Sequence, residues 1–154
     1  MTPQELAKIK EIVQEFFGQT GLAIEVDVKS PVDATVPIDL KAEDPQFLIG
    51  EGGQTLVEIQ RLLKAIMRKK IVSLEPFYID VDVNDYKKKK TEYLKETART
   101  SADEVALTKK EKELPAMSPY ERRIIHAELA SRTDVVTESI GEEPERRVVI
   151  KPRV

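Results

Sequence analysis

Three of the chain's six glycines fall within four residues, Gly50-Glu51-Gly52-Gly53, and both flanks carry apolar residues at helical spacing. No regular helix runs through such a cluster, because each glycine in a helix interior costs roughly 1 kcal/mol relative to alanine. The segment must fold as helix, tight turn, helix. Upstream, Asp44-Pro45 supplies a cap and a proline for the first helical position, opening a short turn of helix through Phe47, Leu48 and Ile49. Downstream, Leu56, Ile59, Leu63, Ile66 and Met67 mark the buried stripe of a helix from about 54 to 69.

The rest of the first half surrounds this unit with strands. Residues 3–17 read as a helix capped by Thr2, with Pro3 first, Glu5 in the opening turn and Leu6, Ile9, Val13 and Phe16 or Phe17 on one face. Gly18 and Gly21 stop it. Leu22, Ile24, Val26 and Val28 alternate with Ala23, Glu25 and Asp27, which predicts a strand with one wet face. After a turn at 30–33, Val36, Ile38 and Leu40 alternate again. Pro37 removes an amide donor there, which places this strand at a sheet edge. Phe77, Ile79, Val81 and Val83 make a third strand. The order is helix, strand, strand, helix, helix, strand.

A new helix is expected from the caps Asn84-Asp85 to about Leu107, then a charged linker over 109–113 and a short strand over 114–117. Ser118-Pro119-Tyr120-Glu121 has the form of a capping box, and its helix runs to about Ser131. Residues 135–140 and 147–150 alternate as two strands of a hairpin turned at Gly141-Glu142-Glu143-Pro144. The fold class is α+β, in two domains, 1–83 and 84–154.

Charge separates the same two parts. Residues 1–83 hold 9 basic and 14 acidic side chains, a net of −5, whereas residues 84–154 hold 16 and 14, a net of +2. Binding of a polyanion by the first half cannot rest on bulk electrostatics. There is no cysteine and one histidine, which removes disulfides, thiolate zinc sites and most histidine-based metal sites. No run of about 18 apolar residues exists to insert in a membrane, and the N-terminus lacks the form of a signal peptide, so a cytoplasmic location is expected. No nucleophile, metal set or phosphate-loop lysine is apparent, so neither catalysis nor a cofactor is expected.

Two places carry binding chemistry. At the glycine turn, Gly50, Gly52 and Gly53 let the backbone approach a phosphate, and the amides of Gln54 and Thr55 open the following helix toward it. Beside them, Ile49 and Leu56 are candidates to line an apolar groove for bases. In the second half, Arg122 and His126 are four apart on one helical face and can hold a phosphate, with Arg123 and Arg147 as helpers. Lys87-Lys88-Lys89-Lys90 opens a helix where cations oppose the dipole, which makes Lys87 and Lys88 candidates for phosphate contact, with a solvated, salt-screened face as the open alternative. Tyr86 and Tyr93 are expected in the core, and Glu142-Glu143 as solvated turn residues.

The segment Leu48-Ile49-Gly50-Glu51-Gly52-Gly53-Gln54-Thr55-Leu56, within its element order, resembles the signature of a type II KH domain. Such domains clamp about four nucleotides with this loop. Their two variable loop positions usually include a basic residue; here they are Glu51 and Gly52. Met117 to His126, with Thr137-Glu138-Ser139-Ile140-Gly141 and Arg146 to Ile150, resembles the R-three-H domain, which binds single-stranded nucleic acid. The two in this order resemble the bacterial Jag family, also called SpoIIIJ-associated or KhpB proteins. The resemblance implies single-stranded RNA as partner, post-transcriptional regulation linked to cell division and envelope homeostasis, and another KH protein as a protein partner. Many Jag proteins carry a further small N-terminal domain. Either it is lacking here or these residues are a portion of a longer chain, and its functions are not expected of them. Two alternatives stay open: a protein-interaction adaptor with a degenerate KH domain, and a single-stranded DNA binder.

Overall fold

The computed structural model describes residues 1–73 and 75–154. They divide into two compact units, Met1–Lys87 and Lys88–Val154. Among the described residues no helix is long and apolar enough to cross a membrane.

In the first unit the order is α1 (Pro3–Gly18), β1 (Ile24–Val28), β2 (Thr35–Ala42), α2 (Gln46–Ile49), a 3-10 turn (Glu51–Gly53), α3 (Gln54–Lys70) and β3 (Tyr78–Val83). That is the order expected from the sequence. Thr2 Oγ accepts the Glu5 amide at 3.2 Å while the Glu5 carboxylate accepts the Thr2 amide at 2.8 Å, a reciprocal cap for α1. Leu22 lies outside β1 and is exposed. The sheet order is β1-β2-β3, with β1–β2 antiparallel and β2–β3 parallel. A parallel pair needs a long crossover, and the α2–turn–α3 segment supplies it. Ile38, Leu40 and Val81 on one sheet face bury against Ile9 and Val13 of α1 and Leu63 of α3.

Pro37 therefore sits in the central strand, not at an edge. Its carbonyl accepts the Lys29 amide at 2.9 Å, so its backbone polar groups face β1, just past the end of that strand at Val28. The amide that proline lacks falls where the β1 ladder is already finishing, and the β3 side loses nothing. At the free edge of β3, Gln60 Oε1 of α3 accepts the Val81 amide at 3.0 Å.

Asn84 and Asp85 do not cap the next helix, α4 (Tyr86–Thr108). Both adopt positive φ, 48° and 57°. Asn84 instead exchanges two bonds with the Ala42 backbone, at 3.0 and 2.9 Å, continuing the pairing with β2 past the end of β3. The cap is Asp82, whose carboxylate accepts the Lys87 amide at 3.0 and 3.2 Å.

The second unit takes up α4 and adds β4 (Lys112–Glu113), α5 (Pro119–Leu129), β5 (Val135–Ile140) and β6 (Arg147–Pro152). The sheet order is β4-β6-β5, antiparallel throughout. The expected strand over 114–117 is displaced to Lys112–Glu113. Leu114 follows as a buried residue whose amide still reaches the Val148 carbonyl at 2.9 Å. Helix α5 starts as expected, its Glu121 amide on Ser118 Oγ at 3.2 Å, but the Glu121 carboxylate takes the Ser118 hydroxyl at 3.1 Å rather than a backbone amide. Ala98, Ala102 and Val105 of α4, Ile125 of α5, and Val148 and Ile150 of β6 form the core.

Candidate nucleic-acid interface

In the first unit the chain leaves α2 at Gly50, with φ 73° and ψ −177°, a conformation essentially confined to glycine. A Cβ on Gly50 would lie 2.1 Å from Thr55 Oγ1. The Thr55 side chain thus occupies the space that this glycine leaves. Gly52 and Gly53 also have positive φ, 61° and 82°. Gly53 is buried, and a Cβ there would meet the Tyr86 hydroxyl at 3.2 Å. Gly52 faces open space, and Glu51, Gln54 and Thr55 are exposed. The Gly53 amide donates to the Gly50 carbonyl at 3.3 Å, whereas the Glu51 and Gly52 amides find no acceptor among the described residues. Two backbone donors on an exposed turn, and a helix start with no side-chain cap, are left without a partner among the described residues.

The apolar flank differs from expectation. Leu56 is buried in the core and lines no groove, because the inner stripe of α3 claims it. Ile49 is half-buried against that core, and Phe47, 71% exposed, is the apolar side chain that α2 presents outward.

The lysine run starts α4 as expected, but Lys87 is committed. Its Nζ lies 2.6 Å from Asp80 Oδ1 and 3.2 Å from Gln60 Oε1. Lys88 and Lys89 are exposed. Tyr86 packs behind Gly53, while Tyr93, expected in the core, is 64% exposed because Leu94 takes the inward position.

In the second unit Arg122 and His126 share a face of α5, but that face is turned to their own protein. Arg122 is 7% exposed. One Nη donates to the Met117 carbonyl at 2.7 Å and the other meets Glu143 Oε1 at 2.8 Å. Glu143, expected as a solvated turn residue, is the carboxylate that neutralises this arginine. His126 Nδ1 lies 2.7 Å from Thr137 Oγ1 and Nε2 2.8 Å from Ser139 Oγ, both hydroxyls from the helix-facing side of β5. A neutral imidazole, one nitrogen donating and the other accepting, satisfies both hydroxyls. Arg147 is likewise held, its Nε 3.2 Å from Glu113 Oε2. Arg123 is exposed and meets no carboxylate among the described residues. The alternating hydroxyls of Thr137 and Ser139 were the sequence signal for the histidine's partners; nothing local announced Glu143.

Burial, and then the neighbouring Arg122 guanidinium, hold the His126 imidazole below its usual range. The unfolded chain then binds a proton near pH 6.5 that the folded chain refuses. This contribution to stability is complete above about pH 6.5 and is lost as pH falls from there through the folded-state pKa. His126 is the chain's one histidine. Urea unfolding at pH 7.5 and 5.5 should show stability falling over that interval, and the His126→Gln variant should lack the histidine's share of the fall. An identical fall in both chains would mean the imidazole titrates alike folded and unfolded.

A family model described as the R-three-H domain matches residues 92–152. Three curated proteins named RNA-binding protein KhpB are similar along the chain. That of Clostridium symbiosum is 35% identical over 144 residues, 93% of this chain and 64% of its own. That of Lactiplantibacillus plantarum is 39% identical over 107 residues, 70% of this chain and 33% of its own. That of Bacillus subtilis is 30% identical over 152 residues, 96% of this chain and 70% of its own. The chain spans less than two-thirds of the first two relatives.

Proposed function

The chain belongs to the KhpB family, and from that premise we propose that it binds single-stranded RNA, without catalysis, at the Gly50–Gly53 turn and at the exposed surface of α5. The observation that carries this reading is the exposed turn at Glu51 and Gly52, whose amides have no acceptor among the described residues and where Gly52 borders open space. Backbone donors at a helix start grip phosphate without regard to base, so the binding is sequence-tolerant and suits a post-transcriptional regulator. Gln54 and Thr55 lie exposed beside the turn. Arg122 and His126 act by fixing the loop and hairpin against α5, and Arg147 by tying β6 to Glu113 of β4, rather than by holding phosphate themselves.

Glu51 places a carboxylate beside this grip and weakens it. Glu51→Lys should tighten binding of a fluorescent single-stranded RNA by about five- to tenfold, on the order of 1–1.4 kcal/mol, measured by anisotropy at fixed salt. Unchanged or weaker binding would remove the loop from the interface. Competition with a DNA oligomer of the same sequence separates an RNA binder from a DNA binder, since a 2′-OH contact favours RNA. A chain that binds neither would have to be an adaptor for proteins.

A further inference from the structure

On α5 the outward side chains differ in kind from the inward ones. Tyr120 is 62% exposed, and its hydroxyl has no hydrogen-bond partner among the described residues. Arg123, one turn on, shares its face. Ala127 is exposed beyond it and Ile124 is half-buried beside it. Four other arginines of this unit pair with carboxylates: Arg99 with Glu128 at 2.6 Å, Arg122 with Glu143, Arg132 with Asp103 and Asp134, Arg147 with Glu113. Arg123 does not. The nearby carboxylates are also engaged, Glu128 by Arg99, and Glu121 by Lys90 at 3.8 Å and by the Ser118 hydroxyl. The stripe Tyr120–Arg123–Ala127 thus carries one unneutralised cation, one open aromatic face and no free carboxylate to repel a phosphate.

We propose that Tyr120 is a base-stacking platform for single-stranded RNA and that Arg123 holds the phosphate of the stacked nucleotide, so that the second unit binds through the outward stripe of α5. This rests on the RNA-binding reading above and assigns the contact to residues beside, not within, the arginine–histidine pair. An aromatic face accepts any base, and a guanidinium at one turn's spacing meets the adjoining phosphate, which preserves the sequence tolerance of the first unit. The buried Arg122 and the hydroxyl-bound His126 hold the helix that presents this pair.

The test is anisotropy with a labelled single-stranded RNA across a salt series, using the full chain. Tyr120→Ala should weaken binding about tenfold with the salt slope unchanged, and Tyr120→Phe should retain parent affinity. Arg123→Ala should flatten the slope by about 0.7, the value for one phosphate on a single strand. Tyr93→Ala, on the similarly exposed tyrosine of α4, should leave affinity unchanged. All four chains should keep the parent's urea midpoint. If the parent binds RNA and Tyr120→Ala binds as tightly, or if Tyr93→Ala loses as much, the platform is overturned while RNA binding stands. A parent that binds no RNA overturns both.

Discussion

Arg122→Ala should destabilise the second unit by about 2–3 kcal/mol, one of the largest effects of any surface-motif substitution in this chain. The guanidinium is 7% exposed and joins the Met117 carbonyl to Glu143. Its removal leaves a half-buried carbonyl without its charged donor, and it empties the space that the aliphatic stem fills. Glu143 is half exposed and can rehydrate, so the cost stays below that of breaking a fully buried pair. Glu143→Ala should also cost about 1–3 kcal/mol, because it leaves the buried guanidinium without its counter-charge. Arg122→Lys should recover little, because one ammonium cannot reach two partners in the planar geometry that a guanidinium spans. Thermal unfolding reads this directly: a drop of about 10–20 °C is expected for a unit of this size. A stable Arg122→Ala chain that merely loses RNA would return the arginine to the interface.

Gly50→Ala should be as damaging in the first unit. The residue has φ 73° and ψ −177°, and the added methyl would lie 2.1 Å from Thr55 Oγ1 and 3.0 Å from the Thr55 amide nitrogen. The first contact can be relieved by turning a side chain; the second involves backbone at the start of α3, and the φ strain cannot be relieved at all. The conformational cost alone is about 1–3 kcal/mol. A relaxed loop also turns its outward amides away, so RNA affinity should fall by more than tenfold. Gly18→Ala is the control: it ends α1 at ordinary φ with nothing near its Cβ, and alanine there should be neutral or gain up to about 1 kcal/mol. Equal urea midpoints for the two variants would show that the turn tolerates rearrangement.

Much of the fold was legible because it depends on neighbours in sequence. The Thr2 cap, the Ser118 cap, the glycine turn and the order of periodicities are all local, and each appears where the chain pattern placed it. What escaped depends on residues far apart. Pro37 pointed to an edge, but its harmless position in a central strand follows from β1 ending one residue short of it. Asp82 was legible as an outward strand residue, and its use as a helix cap needs the chain reversal at Asn84 and Asp85. At the candidate site the spacing of Arg122 and His126 correctly put them on one face. It could not say which way that face turns, because the decision belongs to Glu143, Thr137 and Ser139, which reach α5 only once the hairpin folds over it.

Gln60 has a consequence for how the molecule behaves in a crowd. An edge strand such as β3 offers a row of unused donors on which a foreign strand can pair, and from which fibrils and swapped dimers grow. By taking the Val81 amide, and by sharing its oxygen with the Lys87 ammonium, this glutamine interrupts the row at its midpoint and sets a charge beside it. The first unit therefore remains a poor template for aggregation even at high protein concentration.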